Sequence, residues 1–171
     1  MKRLLLLRHA KSCWDDPELS DFDRPLAPRG EAATPRIAAY MARKLLAPEL
    51  ALCSAAQRTR QTWTLLAAAL PAPCRMKPMR SLYLAPPSRL LTTIRRTPDG
   101  IGCLLLIGHN PGLHSLALQL AGDGKAKALA RLATKFPTAA LVQLDFELPN
   151  WRDIAPGYGR VVRFVRPKDL R

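Results

Sequence analysis

Four consecutive leucines, Leu4–Leu7, stand near the start of the chain and are followed at once by Arg8 and His9. An apolar run that does not alternate with polar residues is typical of a parallel strand that helices cover on both faces. Cys103–Ile107 is a second run of this kind, and His109 follows it closely. Two such strands predict an α/β fold built on a mostly parallel sheet.

Strand and helix patterns alternate along the rest of the chain. Strands are predicted at Arg3–Leu7, Leu50–Cys53, near Met76–Met79, and at Cys103–Ile107, Ala139–Phe146 and Arg160–Val165. Helices are predicted from near Gly30 or Thr34, from Ser54–Gln57 to about Ala69, over Pro87–Arg96, and from Asn110-Pro111 to about Leu120. This order favours a single domain over residues 1–171, a three-layer sandwich with helices on both faces of the sheet.

Three local signals make these predictions more specific. Thr34-Pro35 has the residue types of a helix N-cap and first helical position. Ser54-Ala-Ala-Gln57 matches a capping box, in which the serine would cap the second helix. The alternation in Arg160–Val165 predicts an edge strand.

The formal net charge of +14 favours anionic partners. No nucleic-acid motif or interleaved aromatic residues accompany the basic runs, so nucleic acid is not the expected partner. A solvated surface is the simpler interpretation of both runs. They are Lys125, Lys127, Arg131 and Lys135, and then Arg160, Arg163, Arg166, Lys168 and Arg171.

The apolar runs are much shorter than the roughly 18 residues that a membrane-spanning helix needs, so no membrane association is expected. The four cysteines form no C-x-x-C pair and show no metal-site spacing. Cys53 and Cys103 fall in predicted strands, so buried free thiols are expected there. At this length and composition, a disulfide framework is not expected. These features predict a cytoplasmic protein.

Polar residues stand at the carboxyl end of three predicted strands. Arg8 and His9 follow the first, Arg58 lies in the first helical turn after the second, and His109 follows the fourth. Ligands of open α/β sheets bind at this edge, and arginine matches the geometry of phosphate oxygens. The sequence therefore predicts a phosphate pocket. The third histidine, His114, falls within a helix and is predicted to be structural.

The segments "LRHAKS", "DRPLAPRG", "SAAQRTRQT" and "IGHNPGL" resemble the histidine phosphatase superfamily, which is phosphoglycerate mutase-like in fold, and above all its SixA-type phosphohistidine phosphatase branch. The resemblance implies that His9 is a nucleophile that becomes phosphorylated. It also implies that Arg8, Arg58 and His109 hold the phosphoryl group, with Asn110 as a further substrate contact. Two arginines supply the positive charge, so no metal or cofactor is expected. Arg60 competes with Arg58 but lies on another helix face.

The resemblance departs from the family pattern at three positions. Ala10 replaces a frequent glycine, and Ala55 and Thr59 replace a proline and an alanine. Many members also use a carboxylic acid to protonate the leaving group, whereas residues 50–98 contain no Asp or Glu. The gap favours phosphohistidine over alkyl phosphates, because imidazole leaves without much help. The acidic residues of 15–23 could lie over the site, although a solvated loop is expected, with Asp23 as a possible exception.

Other functions fit the sequence less well. A tyrosine phosphatase loop needs an arginine six residues after its cysteine, whereas Arg58 follows Cys53 by five. A mutase-like or broad small-phosphoester activity is possible on the same scaffold, but the acid is missing. A nucleic-acid-binding protein without catalysis explains the charge but not two histidines at strand ends. A phosphorylated protein or a small phosphoester is therefore the expected partner.

Overall fold

The two apolar strands lie side by side at the centre of a mixed sheet in the computed structural model, which describes residues 1–170. Within these residues the strands are β1 (Lys2–Arg8), β2 (Leu50–Ser54), β3 (Arg75–Met79), β4 (Cys103–Gly108), β5 (Ala121–Gly124), β6 (Leu141–Phe146) and β7 (Gly159–Val165). Their order in the sheet is β3-β2-β4-β1-β6-β7-β5. The pairings leave β6 antiparallel to its neighbours and the other strands parallel to one another.

Helices cover both faces of this sheet. They are α1 (Pro28–Arg43), α2 (Gln57–Ala67), α3 (Pro87–Arg95), α4 (Gly112–Leu120) and α5 (Ala126–Thr134). The first two pack on one face and the other three on the opposite face. The three-layer α/β sandwich predicted from the sequence is therefore confirmed. None of the helices within residues 1–170 is long and apolar enough to cross a membrane.

The leucines of β1 pack against the helix layers on both faces of the sheet. Leu4 and Leu6 pack in the core beneath α3, α4 and α5, whereas Leu5 and Leu7 pack beneath α1 and α2. Successive side chains of a strand point to opposite faces, so a strand buried on both sides must be apolar at every position. All four leucines are completely or almost completely buried, which fixes the strand that carries Arg8 and His9.

The first helix begins earlier than predicted. Pro28 occupies the first turn, where its missing N–H costs nothing, and Thr34-Pro35 lies inside the helix. The hydroxyl of Thr34 donates to the carbonyl of Gly30, one turn back, instead of capping. The Thr34 N-cap prediction was wrong because a second proline, Pro28, supplies the same signal upstream.

Two elements in the last third of the chain, β5 and α5, were not predicted from the sequence. A third, β7, was predicted but was placed at the edge of the sheet. The glycine-rich strand β5 pairs with β7, so β7 lies inside the sheet and the edge prediction for Arg160–Val165 was wrong. β5 has no apolar pattern because Gly122 lies against the backbone of Gly157, where a Cβ would be 1.9 Å from the carbonyl oxygen. The first basic run lies on and beside the helix α5. Ala128 and Leu132 form the buried side of this helix, so the basic residues are spaced between these apolar positions.

Candidate active site

The carboxyl ends of β1, β2 and β4 meet at one edge of the sheet, because the three strands run parallel. Arg8 pairs with Gly108 across β1 and β4, so His9 and His109 leave the sheet side by side. Their ring centroids lie 5.2 Å apart. This edge is where open α/β sheets bind their ligands.

The His9 ring is buried and held in one tautomer. Its Nδ1 lies 2.7 Å from the carbonyl oxygen of Ala10, which only accepts, so Nδ1 carries the proton. Nε2 therefore keeps its lone pair. The pKa of His9 is lowered to about 4, mainly by burial, and the charges of Arg58 and Arg8 act in the same direction. Burial is a larger cause than the charge of either arginine.

His109 is neutral and is oriented by two polar neighbours. Arg58 Nη2 lies 3.3 Å from its Nδ1, and an arginine N–H only donates, so Nδ1 accepts. The opposite nitrogen, Nε2, then donates to Ser54 Oγ at 2.7 Å. Burial is the main cause that lowers the pKa of His109 to about 3, followed by repulsion from His9 once that ring is protonated and by the charge of Arg58.

The Ser54 side chain therefore contacts the site, and it is not the N-cap of α2. α2 begins at Gln57 with Ala56 as its N-cap, and no side chain caps it. The capping-box prediction was wrong because Ser54 is the last residue of β2 and α2 begins only at Gln57, so the serine does not occupy the N-cap position. Its hydroxyl accepts from the Ala56 N–H at 3.4 Å and is hydrogen-bonded to His109.

Arg58 is the side chain on which the other groups converge. It lies in the first turn of α2, is only 4 % exposed, and its Nε donates to His9 Nε2 at 3.4 Å. One turn further on, the Thr62 hydroxyl donates to the Arg58 carbonyl at 2.7 Å and accepts from the Ala10 N–H at 3.0 Å. This hydroxyl ties the helix of the arginine to the loop of the histidine. Arg60 instead faces outward and contacts Gln57.

A carboxylate of the acidic loop also contacts the site, although the sequence did not single it out from the other acidic residues of 15–23. Asp21 accepts from Arg58 Nη2 at 3.1 Å, and its backbone carbonyl accepts from Arg58 Nη1 at 2.6 Å. The Tyr83 hydroxyl donates to the same carboxylate. Partial burial opposes ionisation, but the Tyr83 hydrogen bond and the Arg58 charge outweigh it and lower the pKa of Asp21.

The rest of the acidic loop behaves differently. Asp23, the residue singled out from the sequence, is exposed and accepts a hydrogen bond from the Ser20 hydroxyl at 2.8 Å. The expectation of a solvated loop was therefore wrong for Asp21. Asp21 and Arg58 are 37 residues apart, and nothing in the local pattern marks the contact in advance.

Arg8 and Asn110 complete the pocket from the side of residue 136. Arg8 Nη1 and Asn110 Nδ2 donate to the carbonyl of Phe136, at 3.1 and 2.8 Å. Within residues 1–170, the buried atoms Arg8 Nε and Asn110 Oδ1 have no hydrogen-bond partner. Burial and the nearby charge of Arg58 both lower the pKa of Arg8. Two cations and an unsatisfied donor are thus concentrated where an oxyanion would be stabilised.

His114 lies apart from this cluster. Its Nε2 is 2.7 Å from the carbonyl oxygen of Leu132, between α4 and α5. In the described part of the chain, no group of three or more His, Cys, Asp or Glu side chains is arranged as a metal site.

Comparison of the sequence and the structure with those of known proteins identifies the family. Residues 4–79 match the profile of the histidine phosphatase superfamily (branch 1). The uncharacterized protein Rv1276c of Mycobacterium tuberculosis (strain ATCC 25618 / H37Rv) is 37% identical over 164 residues, which are 95% of this chain and all of that protein. SixA from Agrobacterium tumefaciens, provisionally assigned as a phosphohistidine phosphatase, has a crystal structure that is 30% identical, with a TM-score of 0.82 over 97% of this chain and 98% of the other. The chain belongs to the histidine phosphatase superfamily.

The similarity to SixA-type members of this superfamily confirms the branch predicted from the sequence. A structure of the protein histidine phosphatase SixA complexed with tungstate shares the fold, with a TM-score of 0.79 at 20% identity over 99% of both chains. The protein is therefore a phosphatase, and its substrates are phosphorylated. The buried pair of histidines and the two arginines lie at the edge of the sheet where such a substrate would bind.

Proposed function

We propose that this phosphatase removes the phosphoryl group from phosphohistidine on a protein, through a phosphorylated His9. The observation that carries the proposal is the state of the His9 ring. Its Nε2 has a lone pair, because Nδ1 is bonded to the Ala10 carbonyl and burial keeps the ring neutral. A neutral imidazole beside two guanidinium groups is suited to attack phosphorus.

In the first step, His9 Nε2 forms a bond to phosphorus as the bond from phosphorus to the substrate's imidazole nitrogen breaks. Arg8, Arg58, His109 and Asn110 bind the oxygens of the transferred group. The incoming dianion favours protonation of His109, which could then donate from Nδ1. In the second step, water attacks phospho-His9 and releases inorganic phosphate, and His9 regains its lone pair. Stabilising the equatorial oxygens is the main catalytic task of such a site.

The choice of phosphohistidine rests on the groups near the leaving atom. Asp21 is ionised and accepts hydrogen bonds from both Arg58 and Tyr83, so it holds no proton to donate. Burial and the hydrogen bond to Asp21 raise the pKa of Tyr83, which makes it a weaker acid. An alkoxide needs a proton as it leaves, whereas phosphohistidine protonated on its second nitrogen releases neutral imidazole.

The test compares kcat/KM for a phosphohistidine-bearing protein, 4-nitrophenyl phosphate and 3-phosphoglycerate at one ionic strength. The first two should be hydrolysed about 10²- to 10⁴-fold faster than the alkyl phosphate, the usual contribution of a general acid. Equal or faster turnover of phosphoglycerate would reject the proposal and favour a broad phosphoester phosphatase.

We further propose the cytoplasm as the site of action. The thiols of Cys13, Cys53, Cys74 and Cys103 are all free, as is usual in a reducing compartment. Measuring the fraction of protein in each cellular compartment would test this assignment.

A further inference from the structure

A cavity of about 440 Å³ lies on the side of the active site that contains residue 136. Its walls come from Lys11, the first turns of α1, the end of α5 with the segment after it, and the turn that follows β7. Half of its lining residues are cationic, and none is acidic: Lys11, Arg29, Arg131, Lys135, Arg166 and Lys168.

The positive charge of this cavity is only partly compensated. Arg131 and Arg166 both pair with Asp169, at 3.2 and 2.7 Å. Among residues 1–170, no carboxylate forms a salt bridge with any of the other four cations. A concave surface lined by one sign of charge focuses the field and attracts counter-ions.

The same backbone segments carry residues of the cavity and residues of the active site. Lys11 follows His9 by two residues, and its carbonyl accepts from Ala27 N–H at 2.8 Å, at the start of α1. On the opposite side, Ala139 follows the lining residue Thr138, and its N–H donates to the carbonyl of His9 at 3.0 Å. The Phe136 carbonyl accepts from Arg8 and Asn110. Phe136 stands in the chain between Lys135 and Pro137, which both line the cavity, so the cavity borders the segment whose carbonyl holds Arg8 and Asn110.

We propose that this cavity is a docking site for an acidic segment of the phosphoprotein substrate, separate from the phosphoryl-binding residues. The inference rests on the proposed function, since only a substrate longer than a small phosphoester occupies both places. Charge complementarity selects carboxylate side chains. The lining contains threonines and prolines but no aromatic residue for base stacking, so a nucleic acid is a poorer match.

The test uses two synthetic phosphohistidine peptides, one with four glutamates after the phosphohistidine and one with four glutamines. The variant Arg29→Gln/Lys168→Gln removes two exposed cations from the cavity without touching the active site. Its control, Lys77→Gln/Arg96→Gln, removes the same charge from a second cavity, between β3 and α3. Wild type and control should favour the glutamate peptide by about three- to tenfold in kcat/KM at low salt, and the cavity variant should lose that preference. All three should hydrolyse 4-nitrophenyl phosphate equally.

Equal turnover of both peptides by the wild type, or equal losses in the two double variants, would overturn the docking site. Failure to hydrolyse either peptide, with 4-nitrophenyl phosphate still hydrolysed, would instead reject the proposed function. In that case, the docking site is tested by the fluorescence anisotropy of a labelled, unphosphorylated glutamate peptide, which measures its binding to the three proteins. Weaker binding to the cavity variant alone would support the docking site, and equal binding to all three proteins would reject it.

Discussion

Arg58 Nε lies 3.4 Å from His9 Nε2, and both side chains are more than nine-tenths buried. The arginine can only donate, so this contact and the Ala10 carbonyl select the same tautomer from opposite ends of the ring. The arrangement places a neutral imidazole, the proposed nucleophile, next to a guanidinium cation. The consequences for activity, pH dependence and stability can be measured separately.

Replacing His9 should abolish turnover without unfolding the protein. His9→Ala is expected to lower kcat/KM by about 10³-fold or more, because the attacking atom is lost. The matched control is His114→Ala, since His114 contacts only the Leu132 carbonyl among the polar groups described above. Activity should survive in that variant. A phosphate that is acid-labile and base-stable should be trappable on the wild type but not on His9→Ala, and substantial residual activity would point to another nucleophile.

The pH profile should follow the neutral form of His9. With a pKa of about 4, the ring keeps its lone pair through the neutral range and loses it only as the pH approaches that value. After correction for titration of the substrate, kcat/KM should therefore be flat above about pH 6, two pH units above the pKa. An inflection near the ordinary histidine pKa in the free enzyme would show that the ring is not shielded as the structure indicates.

The same two histidines should make the fold sensitive to mild acid. Both have native pKa values below the unfolded value, so the unfolded chain binds protons that the native protein does not. Their contribution to stability is present above about pH 6.5 and is lost as the pH falls toward 4, on the order of a few kcal/mol. Urea denaturation from pH 7 to 4.5 should show the loss. His109→Gln, which cannot titrate, should show a shallower slope.

Removing the charge of Asp21 should strengthen phosphate binding. The carboxylate holds the guanidinium of Arg58 that the proposed function assigns to phosphate, so the two anions compete. Asp21→Asn should therefore lower the inhibition constant of inorganic phosphate by roughly tenfold, the scale of one charge interaction at short range. Asp23→Asn, in the same turn, is the control and should have little effect. Weaker phosphate binding in Asp21→Asn would mean that this carboxylate positions Arg58.

Gly30→Ala should destabilise the protein even though it lies in a helix. Alanine normally stabilises a helix relative to glycine, but a Cβ here would lie 2.3 Å from the Lys11 carbonyl oxygen. The clash should lower the free energy of unfolding by about 1–3 kcal/mol. Gly100→Ala is the control, because no atom lies within 4 Å of its added Cβ. Equal thermal stability of the two variants would contradict this close approach.

The sequence predicted the central strands well because their burial is encoded locally. Leu4–Leu7 and Cys103–Ile107 are apolar at successive positions, a pattern that a doubly covered parallel strand requires. Since parallel strands end at one edge, the proximity of His9 and His109 followed from the strand ends alone. The resemblance to the family then selected Arg58 over Arg60.

Apart from Thr34, the misassigned residues have partners that are distant in the sequence. Ser54 has the local signature of a cap, but its hydroxyl bonds to a histidine 55 residues away. Asp21 has the signature of a solvated turn, yet it contacts an arginine and a tyrosine from two other elements. Similarly, β5 pairs through backbone contacts of glycines, which leave no hydrophobic pattern. Tertiary hydrogen bonds outweigh local preference in each case.

The central position of β1 affects how the molecule opens. Leu4 pairs with Leu104 on one side and Leu144 on the other, so its strand separates only when the sheet itself comes apart. The turn that carries Asp21 is short and exposed by comparison. Hydrogen exchange should therefore be slowest in β1 and much faster in this turn. Brief opening of the turn would release Arg58 from its internal counter-ion while His9 stays in place, and the open molecule would present an uncompensated cationic site to an incoming anion.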